Sequence, residues 1–130
     1  MIDATNKVFS SRKRLQSFVY AYRGILYLLR TQHNAWIQLS VALLVIVTGF
    51  FLHVSSAEWC ILLLCTGLVL SMEVVNTAIE TLSDTLHPGI SSGIEKVKDV
   101  SAAAVLIISI VAVITGLIIF VPRLLTVLGC

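Results

Sequence analysis

The sequence predicts an all-α membrane protein with three transmembrane helices and an N-terminal amphipathic helix on the membrane surface. Of its 130 residues, 58% are hydrophobic and only 12% are charged, against about 45–50% and about 25% in a soluble domain. Three apolar stretches are each long enough to cross a bilayer core, which takes about 20 helical residues. Strands are not expected, because three of them cannot close a barrel and an open sheet leaves backbone groups unpaired in lipid.

The charge and the cysteines exclude further classes of protein. A formal net charge of +2 is too small to indicate a nucleic-acid partner. Cys60 and Cys65 lie five residues apart in an apolar run and Cys130 ends the sequence, without the CxxC or Cys/His spacing of a metal site. We therefore interpret Cys60 and Cys65 as small apolar packing residues.

The segment from about residue 10 to 30 is predicted to form the surface helix. Seven apolar residues recur there with the spacing of one helical face, an arc of about 120° at 100° per residue. They are Leu15, Phe18, Val19, Tyr22, Ile25, Leu26 and Leu29. Arg12, Arg23 and Arg30 cluster on the polar side of this face. Arginines at this depth can meet lipid headgroups or nucleotide phosphates, and a plain anchoring helix is the alternative interpretation.

The first two transmembrane helices are predicted at about residues 35–52 and 59–84, and they form a hairpin. The connection of residues 53–58 is too short for anything but a turn between antiparallel neighbours. A cytoplasmic loop at about residues 85–92 follows, because Pro and Gly in HPGISSG (87–93) break the helix. The third transmembrane helix is predicted at about 93–121. Ser92 and Glu95 have the spacing of a capping box at its start.

Basic residues predict the orientation in the membrane. Six precede the first transmembrane helix, and two more lie between the second and the third. They are Lys7, Arg12, Lys13, Arg14, Arg23 and Arg30, then Lys96 and Lys98. The positive-inside rule places both segments in the cytoplasm. The N-terminus is therefore expected in the cytoplasm and the C-terminus outside.

Four polar residues of the second transmembrane helix share one face. Glu73, Asn76, Glu80 and Asp84 occur at offsets 0, 3, 7 and 11, which gives a stripe about 80° wide. An ionised side chain facing lipid costs at least about 2.5–3.5 kcal/mol at mid-membrane. The stripe is therefore expected to face a partner, a cation or water. An interhelical hydrogen bond with a structural role only is the alternative.

Carboxylates, an amide and a nearby lysine are the groups that phosphoryl transfer uses. Magnesium takes a few hard oxygen ligands together with substrate phosphates, and the transfer is catalysed mainly by positioning and charge neutralisation. A glutamate could instead accept the proton of an attacking hydroxyl. Glu73 lies about 10 Å deeper than Glu80 at 1.5 Å per residue. A lipid hydroxyl could therefore reach Glu73 while a nucleotide meets Glu80 from water.

Two sequence blocks, one in the second predicted transmembrane helix and one at the start of the third, resemble a known family. EVVNTAIE (73–80) and KDVSAAAV (98–105), with Asp84 between them, are similar to the signature of the bacterial integral-membrane diacylglycerol kinase and undecaprenol kinase family. The resemblance extends from about Tyr20 to about Ile118 and includes YRG (22–24) and NAWI (34–37).

The resemblance implies a homotrimer in the bacterial inner membrane, with sites between subunits, that transfers the γ-phosphate of MgATP to a lipid alcohol. It implies that Glu73 is the general base and that Asn76 helps to hold the site. The remaining roles that it implies are metal binding for Glu80 and nucleotide contacts for Lys98, Asp99, Lys13 and Tyr20.

Gln32 departs from the family pattern, which often has a second metal-binding glutamate at this position. A glutamine offers a neutral carbonyl oxygen and would bind magnesium and its nucleotide more weakly. The loop with His87 also differs from the family pattern, which weakens any assignment of nucleotide contacts there.

The leading hypothesis is a lipid kinase that acts on undecaprenol or, second, diacylglycerol. The turn SAEW (56–59) and the Asn34 motif favour undecaprenol. The alternative from another class is a proton- or cation-conducting subunit with a carboxylate relay. That relay would need polar groups through the whole membrane depth, whereas the third helix offers only Ser101, Ser109 and Thr115. A second alternative is a non-catalytic scaffold whose polar seam associates helices.

Overall fold

A computed structural model describes residues 11–87, 89 and 91–129, and side chains from residue 14 onward. The described chain consists of four helices: α1 (Ser11–Thr31), α2 (His33–Phe51), α3 (Ser56–Leu86) and α4 (Ser92–Leu128). Helices α2, α3 and α4 are long and apolar enough to cross a membrane. The predicted second and third transmembrane segments lie within α3 and α4, which continue beyond them at both ends. The position of α1 on a membrane surface stays a prediction.

Helix α3 is the centre of the bundle. It contacts each of the other three helices and packs most extensively against α4. An apolar core lies near the α2–α3 turn, where Val54, Leu62 and Ile119 are buried. Farther along α3 the buried side chains are polar, namely Glu73, Asn76, Thr77 and Ser83. The bundle therefore has an apolar half and a polar half.

The turn between α2 and α3 contains a capping box that the sequence analysis did not predict. Ser55 Oγ accepts the Glu58 N–H over 3.4 Å, and the Ser55 N–H donates to Glu58 Oε2 over 2.6 Å. The predicted box of Ser92 and Glu95 is not formed. The N-cap of α4 is Ser91, without a side-chain cap bond, so Glu95 lies one residue beyond the position from which it could reach back.

Arg123 fastens α4 to this turn. Its guanidinium pairs with the Glu58 carboxylate and donates to the carbonyl oxygens of Leu52 and His53 over 3.2 and 3.1 Å. The planar guanidinium presents several donors at fixed angles, which suits this convergence of acceptors. The end of the bundle opposite the polar half is thereby tied together.

We predict that Gly49→Ala destabilises the bundle, whereas Gly116→Ala does not. A Cβ at Gly49 would lie 2.8 Å from Cη2 of Trp59, while a Cβ at Gly116 would meet no described atom within 4 Å. Both changes gain helix propensity, but overpacking costs about 1–3 kcal/mol. Thermal unfolding of the detergent-solubilised variants measures the difference. Equal midpoints for the two variants would contradict the tight contact with Trp59.

Candidate active site

Glu73 and Glu80 of the acidic stripe are turned toward α2, whereas Asp84 at the end of the stripe is exposed and pairs with Lys98 of α4. Glu73 is 2% exposed, and its Oε2 accepts a hydrogen bond from Gln38 Nε2 over 2.7 Å. Glu80 Oε2 accepts from Gln32 Nε2 over 3.2 Å. Both glutamates therefore project to the same side of α3, where amides of the preceding helix and its N-cap meet them.

A chain of hydrogen bonds extends from Glu80 to α4. Asn76 Nδ2 donates to Glu80 Oε1 over 2.9 Å, and Ser101 Oγ donates to Asn76 Oδ1 over 2.5 Å. Both amide groups that contact Glu80 donate to it, which holds its two oxygens in place. The chain thus joins the start of α2, the middle of α3 and the start of α4 around one carboxylate.

Lys98 lies one helical turn beyond this chain and reaches α3. Its Nζ forms an ion pair with Asp84 Oδ1 over 2.8 Å, and the two side chains are 36% and 64% exposed. Lys98 therefore stands at the open end of the stripe, half-buried and paired with Asp84. Asp99 is exposed, and the structure does not bring it into the cluster of Gln32, Asn76 and Glu80.

The last turns of α1 cover the same part of α3. Tyr27 Oη lies 3.4 Å from Thr81 Oγ1, and Leu28 is buried. A cleft of about 430 Å³ opens between the two helices, with Gly24, Tyr27, Leu28 and Thr77 in its lining. Helix α1 packs on α3 through these residues, so its predicted apolar face points away from α3. Phe18 in that face is 74% exposed.

Of the two N-terminal candidates, only Tyr20 has a side chain within the described part of the chain, and it stands apart from Gln32, Asn76 and Glu80. Tyr20 is 63% exposed and lies two helical turns before Tyr27, on the same side of α1. The side chain of Lys13 lies outside the described part of the chain. The structure therefore brings together Gln32, Glu73, Asn76 and Glu80, with Lys98 beside them, and leaves Tyr20 and Asp99 outside the cluster.

The sequence analysis did not assign a role to Gln38 or Ser101. Gln38 is the one amide within the predicted first transmembrane helix, and a buried polar group in an apolar helix indicates a partner. Ser101 was noted only as a polar residue of the third helix. Their partners depend on how the helices are placed side by side, which residue spacing within one helix does not define.

The donor set fits a magnesium ion that is bound mainly by substrate. In the described part of the chain, no group of three His, Cys, Asp or Glu residues could hold a metal ion. Magnesium commonly takes one or two carboxylates and completes its shell with phosphates and water. Glu80 matches that pattern as a single carboxylate and does not form a complete protein cage. The Gln32 amide now faces Glu80 through its nitrogen, so it would have to turn over to offer its oxygen to the ion.

Known proteins match most of the chain. Residues 19–120 match the family described as prokaryotic diacylglycerol kinase. The undecaprenol kinase of Bacillus subtilis is 37% identical over 113 residues, which cover 84% of this chain and 89% of that protein. The diacylglycerol kinase of Synechocystis is 35% identical over 113 residues, and the chain spans 65% of its length. No solved structure matches the chain. The extent of these matches shows that the chain belongs to the prokaryotic diacylglycerol kinase family and is a lipid kinase.

Proposed function

We propose that this kinase transfers the γ-phosphate of MgATP to the hydroxyl group of undecaprenol, with diacylglycerol as the second candidate acceptor. The observation that carries the proposal is the pair of glutamates on one side of α3. Glu73 is buried, and Glu80 lies near the half-buried Lys98. Undecaprenol is favoured by the turn of residues 56–59, the Asn34 motif and the likeness to the Bacillus subtilis enzyme.

Glu73 is the proposed general base. Its side chain is buried within the bundle, in a helix long and apolar enough to cross the membrane, and we infer that the acceptor hydroxyl reaches it from the membrane side. The hydroxyl oxygen forms a bond to the γ-phosphorus while the bond between this phosphorus and the bridging oxygen of ADP breaks. The hydroxyl proton passes to Glu73, which contributes about 10²–10⁴ in rate for a well-placed base. ADP leaves with the electron pair of the broken bond.

Glu80, Asn76 and Lys98 are the proposed phosphate end of the site. A magnesium ion would be held by Glu80 and the amide oxygen of Gln32, and it would neutralise charge on the triphosphate. Asn76 holds Glu80 in place. The ammonium of Lys98, which pairs with Asp84 in this structure, would turn to the phosphates and supply positive charge. From the family pattern we infer that Asp99, Tyr20 and Lys13 contact the rest of the nucleotide.

The proposed assembly is a homotrimer in the bacterial inner membrane, with the N-terminus in the cytoplasm and the C-terminus outside. The basic residues near α1 and the start of α4 support this orientation. No large side chain of the described residues is fully buried, and neighbouring copies would cover part of this surface. Mass measurement of the solubilised protein tests the oligomer, and a monomer with full activity would contradict it.

The conducting-subunit alternative is not supported by the distribution of polar groups. A relay needs polar side chains through the whole membrane depth. The buried polar residues lie in one half of the bundle, and the other half is filled by Val54, Leu62 and Ile119.

A labelled phosphate assay tests the proposal directly. Purified protein receives γ-labelled ATP and magnesium with undecaprenol, diacylglycerol or a sphingoid alcohol in mixed micelles. We expect labelled lipid phosphate, with the greatest kcat/KM for undecaprenol. Faster transfer to diacylglycerol would reverse the order of acceptors, and transfer to none would overturn the proposed reaction.

We predict that Ser101→Ala lowers kcat/KM for ATP about 2–10-fold. The change removes the hydroxyl that donates to Asn76, and a hydrogen bond contributes about 0.5–1.5 kcal/mol. Steady-state kinetics with varied ATP measure this effect. Ser109→Ala in the same helix is the control, and an equal loss in both variants would contradict a role through Asn76.

A further inference from the structure

The amide of Gln38 contacts the proposed general base from the neighbouring helix. Gln38 Nε2 donates to Glu73 Oε2 over 2.7 Å, and Gln32 makes the equivalent contact with Glu80. The two glutamines are six residues apart and the two glutamates seven residues apart. Two antiparallel helices in a single register can therefore form both contacts. The start of α2 and its N-cap therefore present one amide to each carboxylate of the stripe.

The orientation of the Gln38 amide leaves its own oxygen unpaired. Oε1 is buried, and no described residue donates a hydrogen bond to it. Turning the amide over would bring this oxygen against the carboxylate, and the ionised form that the proposed general base requires offers only acceptors. The N–H must therefore face Glu73. Within the described chain the amide is therefore held by its contact with Glu73 alone, so its placement serves that carboxylate.

We propose that Gln38 is a positioning residue for Glu73, an inference that rests on the proposed lipid kinase reaction. By holding one carboxylate oxygen, the amide fixes the plane of the carboxylate and presents its other oxygen to the acceptor hydroxyl. Gln38 exchanges no proton in this scheme. Its contribution is to kcat, because nucleotide binding depends on Glu80 and Lys98 at the other end of the stripe.

The test compares two substitutions of Gln38 in the full-length protein. Gln38→Met keeps the length of the side chain and removes the N–H donor. We expect kcat to fall about 10–100-fold, the range for a displaced reacting group, with KM for ATP within about twofold of wild type. Gln38→His keeps an N–H at similar reach and should retain kcat within about fivefold of wild type.

The control is Ser40→Ala, which removes a hydroxyl of α2 that donates only to the Trp36 carbonyl oxygen of its own helix. It should leave kcat unchanged. Gln38→Met leaves the buried Glu73 carboxylate without its donor, so its unfolding midpoint should be lower than that of wild type. Measuring kcat well below the midpoint of each variant separates positioning from folding.

Three results would overturn the positioning role. They are a kcat of Gln38→Met within about twofold of wild type, an equal loss in Gln38→His, or a loss that disappears when kcat is measured well below the unfolding midpoint of the variant. Failure of the proposed function is distinct, because the wild-type protein itself would then phosphorylate no lipid. Transfer by wild type with normal kcat in Gln38→Met removes only this inference.

Discussion

Replacing Glu73 with glutamine is expected to lower kcat by about 10²–10⁴ while ATP still binds. The substitution keeps the shape of the side chain and an oxygen that can accept the Gln38 N–H, so the packing of α2 on α3 is retained. What is lost is the capacity to take the proton of the acceptor hydroxyl, and this range is typical of a missing general base. Steady-state kinetics with varied lipid and ATP measure both parameters.

The expected pattern for Glu73→Gln is a low kcat with KM for ATP within about twofold of wild type. Glu95→Gln is the matched control, because it makes the same chemical change on an exposed carboxylate in the first turn of α4. An unchanged kcat in Glu73→Gln would show that another group accepts the proton. Loss of assembly without an effect on turnover would support a scaffold role for the stripe.

Replacing Glu80 with glutamine is expected to impair the use of MgATP. Glu80 is the carboxylate on which the amides of Gln32 and Asn76 converge, and in the proposed site its charge would be the principal attraction for magnesium. Electrostatic stabilisation by a metal contributes several kcal/mol, so kcat/KM for ATP should fall on the order of 10²–10³. The magnesium concentration for half-maximal rate should also rise. Kinetics at varied magnesium and fixed ATP measure this shift.

The two glutamate variants separate the proposed roles. Glu73→Gln should affect turnover at saturating magnesium, whereas excess magnesium should partly restore Glu80→Gln. Glu95→Gln again serves as the control for the loss of one negative charge. If magnesium fails to improve Glu80→Gln and the half-maximal concentration is unchanged, Glu80 does not hold the metal.

The residue order alone predicted three apolar helices and the common face of Glu73, Asn76 and Glu80. Such a face is a property of one helix, because 100° per residue determines which side chains project together. The cost of an ionised group in lipid then predicts that this face is turned inward. The resemblance to a kinase family added the chemical roles, and comparison with known proteins confirms the family.

The starts of α3 and α4 show where local patterns are insufficient. Ser55 with Glu58 and Ser92 with Glu95 both have the spacing of a capping box. Only the first box forms, because the position at which a helix begins depends on the path of the preceding turn. A shift of one residue, to Ser91 as N-cap, removes the geometry that the second box needs.

Helical periodicity and hydropathy, which act over a few residues, were enough to determine the class of protein, its apolar segments and the inward acidic stripe. The three-dimensional structure alone decided which groups meet that stripe: Gln38 at Glu73, Gln32 at Glu80, Ser101 at Asn76 and Asp84 at Lys98. These contacts join residues 14 to 48 positions apart. They depend on the register and rotation of packed helices, which follow from side-chain packing along the whole bundle.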